Sequence, residues 1–239
     1  MAGHSKWANI KHRKGKADAV KGKLFSRLTK EIISAVKQGG ADPKNNPKLR
    51  MVLQKAKVAN LPNDNIERNI KKAASADQAD FMEITYELYG YGGVGIIAEL
   101  MTDNKNRASS DMRIATNKKG GTIATPGSVL FNFDRKGILQ VAKGLDEDQL
   151  FLMATEAGAE DFESTGEGFV IVTSPDQLIA VKDKLEADGV VVAEAALQMI
   201  PKTLVECNEE DAKANLELIE YLEALEDVDA VYHNLSLPQ

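Results

Sequence analysis

From Val20 onward an apolar residue returns at every fourth position, Val20, Leu24, Leu28, Ile32 and Val36, with Phe25, Ile33 and Ala35 widening the stripe. Only a helix puts residues of that spacing on one side, so residues 17–40 must be an amphipathic helix with its apolar face against something else. Asp18 offers a start, and Lys37 followed by Gly39-Gly40 supplies the cation and the left-handed stop of a C-terminus. A second helix takes Asn46 as its N-cap and Pro47 as its first helical residue, carries Leu49, Val52, Leu53 and Ala56 inward, and ends before Leu61-Pro62. A third opens with Asp64 and Glu67 at capping-box spacing and carries Ile66, Ile70 and Ala73. Three short helices joined by short links predict a small bundle over residues 1–78.

At Phe81 the period changes. The run EITYELYGYGGVGIIAELMTDN alternates and is rich in β-branched residues around a glycine cluster, which predicts strand 83–89, a turn and strand 94–101. A helix over 104–119 follows, stopped by Gly120-Gly121. GSVLFNFDRKGILQV reads as two strand segments around Lys136-Gly137. Helix 146–157, strands 159–164 and 168–173, helix 175–187 and strand 189–198 come next, a βαββαβ order of the ferredoxin-like kind. The tail gives a strand, helix 209–225 and strand 228–236. The strand–strand–helix unit before the insertion and the helix–strand unit after it each lack a half, so they are expected to complete one another. The predicted class is α+β: a helical bundle (1–78), a discontinuous α/β domain (79–133 plus 203–239) and an inserted ferredoxin-like α/β domain (134–202).

The charge is segregated along the chain. Residues 1–75 hold 18 Lys and Arg against 5 Asp and Glu, a net of +13, while residues 76–239 hold 12 against 31, a net of −19; together they make the overall −6. Like charges crowded onto one third of a chain repel unless a partner of opposite sign offsets them, which points to a polyanion. The bases fall off the apolar stripes and onto the outside. The candidate nucleic-acid contacts are Lys6, Trp7, Lys11, His12, Arg13, Lys14 and Lys16 in the N-terminal arm, Lys21, Lys23, Arg27 and Lys30 on the first helix, Arg50, Lys55 and Lys57 on the second, and Arg68, Lys71 and Lys72 on the third. Trp7, the chain's one Trp, has two roles open to it: stacking on an exposed base or anchoring the arm to the bundle.

Other classes find little support. No run nears the ~20 apolar residues of a membrane span. The basic start lacks the apolar stretch of a secretory signal and is too Lys-rich for a typical mitochondrial presequence. A single cysteine, Cys207, allows neither an internal disulfide nor a cysteine-based zinc site, and the expected compartment is the cytoplasm. Gly90-Tyr91-Gly92-Gly93-Val94-Gly95 has the spacing of a dinucleotide fingerprint, but Ile96-Ile97-Ala98-Glu99-Leu100 continues as a strand where that site needs a helix N-terminus, so a hairpin turn is expected. His4, His12 and His233 show no metal-ligand spacing, and no base accompanies Cys207. Asp103 and Asn104 cap the next helix, and Lys105, Asn106 and Arg107 stand where a helix N-terminus could receive an anion. Neither an enzyme nor a cofactor is predicted.

The blocks GHSKWANIKHRKGKADAVKGKLFSRLTKEI, NPKLRMVLQKAKVANLPNDNIERNIKKA, YGYGGVGIIAELMTDNKNRASSDMR and GSVLFNF lie in order over the whole chain and resemble the YebC/PmpR (TACO1-like) family. The resemblance implies an N-terminal helical domain and two α/β domains, one inserted in the other. It also implies a cytoplasmic DNA-binding transcriptional regulator or, as the alternative, a ribosome-associated translation factor that grips ribosomal RNA with the same surface. The acidic α/β domains are then left for a protein partner or solvent. Tyr91 stands where the family usually has a glycyl-prolyl pair, and residues 114–127 are atypical of it, so the departures fall outside the basic arm.

Overall fold

The computed structural model describes the backbone of residues 17–74, 80–166 and 168–237, with side chains from Gly22 onward. Helix α1 (Ala17–Gly39) buries Leu28, Ile32, Ile33, Ala35 and Val36, the stripe read from the sequence. It ends where Gly40, at φ 85°, donates its amide to the Val36 carbonyl at 2.7 Å. Buried Asn46 closes α1 and opens the next helix: its side-chain amide donates to the Ala35 and Gly40 carbonyls, both at 2.8 Å, and its Oδ1 accepts the Leu49 amide at 3.0 Å. Helices α2 (Pro47–Val58) and α3 (Asn63–Ala73) follow, the latter beginning one residue before Asp64 and packing along α1.

Strands β1 (Met82–Tyr89) and β2 (Gly95–Thr102) form an antiparallel hairpin, with Met82 opposite Thr102 and Tyr89 opposite Gly95. Helix α4 (Lys105–Lys119) leads to the two-residue β3 (Thr122–Ile123). Between Gly90 and Val94 the chain turns through a single 3-10 turn with Gly92 at φ 64° and Gly93 at φ 80°, conformations glycine takes without steric cost. The buried carboxylate of Glu87 fixes the loop beyond β3, accepting the amides of Gly127, Val129 and Leu130 at 2.5, 2.6 and 2.7 Å.

The second sheet comes from β4 (Phe133–Ala142), α5 (Glu147–Ala157), β5 (Asp161–Thr165), β6 (Gly168–Thr173), α6 (Leu178–Ala187) and β7 (Val192–Pro201). Its order is β5-β6-β4-β7, so the first and third strands of the βαββαβ unit lie in the middle, as in a ferredoxin-like fold. Leu139, Val141, Phe169 and Ile171 of the sheet pack with Leu150, Ala154, Val181 and Leu185 of its helices, together with Val58 from the end of α2. β4 corrects one expectation, because it runs unbroken through Lys136-Gly137 where two segments were predicted. Gly137 serves close packing rather than a turn: a Cβ there would lie 2.3 Å from Thr173 Oγ1 and 2.8 Å from Leu178 Cβ. β7 is also shifted three residues beyond the predicted 189–198.

The chain then returns to the first sheet through α7 (Glu209–Ala224) and β8 (Val228–His233), which pairs antiparallel with β2 and completes the order β3-β1-β2-β8. The two incomplete halves do complete one another. Leu88, Ile96, Ala98 and Leu100 meet Ala108, Met112 and Ala115 of α4 and Leu218 and Leu222 of α7. The alternate β2 residues, Ile97, Glu99 and Met101, are buried on the opposite face, where Arg27 and Lys30 of α1 reach them. A strand covered on both faces reads as a nearly unbroken apolar run, which is what the sequence of β2 shows. Two compact units result: residues up to 52 with 63–134 and 201–239, and residues 53–62 with 135–200. α1 and α3 thus cluster with the first sheet.

Candidate nucleic-acid interface

Of the seventeen candidate residues, Lys6, Trp7, Lys11, His12, Arg13, Lys14 and Lys16 lie outside the described residues, as does the side chain of Lys21. The other nine divide by where α1, α2 and α3 aim them.

Three on α1 point into the protein. The Lys23 ammonium donates to the carbonyls of Glu223, Leu225 and Val228, the last at 2.9 Å, and so satisfies backbone acceptors left open where α7 ends. Burial lowers its pKa, an effect that Asp229 and Glu223 partly oppose. Arg27 donates from Nη1 to Glu99 at 2.5 Å and from Nε to Glu31 at 3.1 Å; Glu99 and Glu31 are themselves buried. Burial alone would lower the Arg27 pKa, but the charge and hydrogen bond of Glu99 outweigh it and the net shift is upward. Lys30 donates to the Met101 carbonyl at 3.0 Å and lies 3.7 Å from Asp229, its ammonium 5.9 Å from the Phe81 ring centroid. These three cations have intramolecular partners and make no open phosphate face. The sequence did carry a signal of this: Glu99 is a lone carboxylate inside an apolar strand, and such a group is buried only with a cation beside it.

The cations of α2 and α3 sit differently. Arg50 and Lys57 are exposed and Lys55 is half-buried. On α3, Arg68, Lys71 and Lys72 are all exposed, and their i, i+3, i+4 spacing places them on one face, away from buried Ala73 and half-buried Ile66 and Ile70. Lys71 and Lys72 fall in the last turn, where a cation complements the helix dipole. Lys44 and Lys48, not among the candidates, are also exposed, and Lys48 donates to Gln38 Oε1 at 3.1 Å.

The remaining motifs are structural. The glycine cluster runs directly into β2, so no helix N-terminus follows it; Asn215 of α7 holds it by accepting the Tyr91 amide at 2.9 Å and donating to the Tyr91 carbonyl at 3.0 Å. The capping role read for Asn104 holds before α4: its Oδ1 accepts the amides of Asn106 and Arg107 at 3.0 and 3.1 Å, which occupies the donors that an anion would need. Arg107 is engaged as well, donating to both oxygens of Asp227 at 2.8 and 2.9 Å and to Asp103 at 2.7 Å. Burial raises the half-buried Cys207 thiol, Asp211 adds to the rise, and only a hydrogen bond with Asn215 opposes it, so the thiolate is disfavoured. Among the described residues no group of three or more His, Cys, Asp or Glu could hold a metal ion, and no helix is long and apolar enough to cross a membrane.

Two family models match, "TACO1/YebC protein N-terminal domain" over residues 5–76 and "TACO1/YebC second and third domain" over 81–235. A probable transcriptional regulatory protein of Protochlamydia amoebophila is 69% identical over 240 residues, covering 100% of this chain and 98% of the relative. Another of that description from Chlamydia pneumoniae is 61% identical, covering 99% and 100%. The crystal structure of a conserved hypothetical protein from Aquifex aeolicus has the same fold, with a TM-score of 0.80, 42% identity and 98% of each chain covered.

Proposed function

Because the chain belongs to the TACO1/YebC family, we propose that it is a transcriptional regulatory protein that binds DNA through its basic N-terminal region. The carrying observation is the exposed triad Arg68, Lys71 and Lys72 on one face of α3, within a segment of net charge +13. The names of the curated relatives support the regulatory role. Exposed Arg50 extends the surface within the same compact unit, and the arm from Lys6 to Lys21 adds the remaining charge. Phosphate contacts of this kind supply affinity and register without reading bases. The inserted domain, residues 134–202, is not part of this surface.

The test is fluorescence anisotropy with a labelled DNA duplex. Reversal of Arg50, Arg68, Lys71 and Lys72 to Glu is expected to weaken binding by about 10³-fold at moderate salt, as the loss of several phosphate contacts requires. Unchanged binding would refute the reading. Ribosomal RNA presents the same phosphates, so crosslinking in cells with sequencing of the attached nucleic acid is the second arm: chromosomal fragments support DNA, and ribosomal RNA alone would replace it.

A further inference from the structure

Helix α5 leaves large apolar side chains in water. Leu152 is 60% exposed, Phe151 48% and Leu145, just ahead of the helix, 41%. Single exposed apolar residues need no explanation, but three within eight positions make a patch. Phe151 is held in place, its ring edge-on to Phe162 at 5.6 Å, and Phe162 in turn stacks on buried Phe169 at 5.5 Å. An aromatic anchor seated on the core loses little freedom when a partner covers it.

The rim of the patch is mainly acidic, with one cation, Lys184, at the Glu156 end. Helical spacing puts Asp148 and Glu156 one turn to either side of Leu152, and Glu147 one turn before Phe151, all of them exposed. From Lys143 to Glu163 there are seven acidic residues and one basic. The first-turn acids also complement the helix dipole, and at the other end the Lys184 ammonium of α6 donates to the Glu156 carbonyl and offsets the carboxylate in the last turn. An apolar centre ringed by acids complements a surface with apolar anchors and a basic ring.

We propose that Leu145, Phe151 and Leu152, rimmed by Glu147, Asp148 and Glu156, are the docking site for a basic amphipathic segment of a partner protein. The inference rests on the reading above in one respect: a face of this sign is repelled by the polymer that the basic region meets, and so stays available to a protein.

The probe is a labelled 14-residue amphipathic peptide of Leu and Lys, followed by anisotropy with the full chain. Two comparison peptides replace Lys by Glu or Leu by Ser. The Leu/Lys peptide should bind at least about tenfold more tightly than either, and Leu145→Ser/Leu152→Ser and Glu147→Gln/Asp148→Asn/Glu156→Gln should each weaken it by about tenfold, as loss of interface anchors does. All these side chains are exposed, so the apolar variant should melt like the parent protein and the charge variant only slightly below it, by the first-turn dipole contribution of Glu147 and Asp148. Equal binding by the Ser/Lys peptide, or no effect of the apolar variant, would overturn the proposal by leaving only charge. Sedimentation showing a self-associated parent and a monomeric Leu145→Ser/Leu152→Ser variant would overturn it by assigning the patch to a second copy. Both variants should keep the parent's DNA affinity; a parent that binds the peptide but no DNA leaves this site standing and removes the regulatory reading.

Discussion

Burial lifts the Asp229 carboxyl to about 6, although Lys30, Arg27 and Lys23 all pull it down. Its Oδ2 is buried without a hydrogen-bond partner, which is the local cause. A folded-state pKa above the ordinary value means that the neutral acid is the favoured form, so its stabilising contribution is full below the ordinary 3.8 and is lost as pH rises through about 6. Asp229→Asn should therefore melt like the parent near pH 3 and at a higher temperature at pH 8; a lower melting temperature at pH 8 would count against this. Glu87 has the opposite sign. Burial would raise its pKa, but three backbone amides more than compensate and hold it below the ordinary 4.5. Its contribution is present above that value and fades as pH falls through the depressed pKa. Glu87→Gln should cost about 3 kcal/mol at pH 7, since charged acceptors make the stronger hydrogen bonds. Denaturant curves of parent and variant should converge in acid. Nothing in the linear sequence marked either carboxyl, because both shifts depend on neighbours brought in by the fold.

At the scale of elements, α1 aims Lys23, Arg27 and Lys30 into the fold while α3 exposes Arg68, Lys71 and Lys72, and the two sets can be separated by measurement. Arg27→Gln leaves Glu99 and Glu31 buried without their guanidinium and should cost about 3 kcal/mol or more in stability. Arg68→Glu with Lys71→Glu should leave the melting temperature within a degree or two and lower DNA affinity. A destabilised α3 variant with normal DNA binding would reverse the assignment. The helices themselves were legible because their apolar period, the Asn46 cap and the Gly39-Gly40 stop are local signals. The direction of Lys23, Arg27 and Lys30 was not, since the apolar stripe says which face of α1 is buried and not that its flanks meet a second layer. Long cationic side chains at the edge of a stripe look identical in sequence whether they end in water or on a carboxylate. The unbroken β4 was missed for a related reason: a glycine that admits a neighbouring Thr173 and Leu178 has the same letter as one that makes a turn.

For the whole molecule, the arrangement follows from one topological fact: the ferredoxin-like βαββαβ unit interrupts another sheet whose last strand, β8, pairs with β2 from more than a hundred residues away. That closure was legible because each fragment flanking the insertion lacked a half. The charge segregation was legible by counting, yet part of the positive third is spent inside the first compact unit, so the count overstates the surface available to a polyanion. Residues 135–200 carry 13 acids against 5 bases, a balance that disfavours phosphates at that segment. If the remaining exposed cations meet a phosphodiester backbone, as proposed, binding must release counterions and weaken with salt. A salt titration of duplex-DNA affinity, run on the parent and on Arg50→Glu/Arg68→Glu/Lys71→Glu/Lys72→Glu, tests it most directly. With roughly six phosphates neutralised, log K should fall against log salt with a slope of about −5 for the parent and a distinctly shallower one for the variant; absence of binding at low salt, or the same slope in both, would contradict the account.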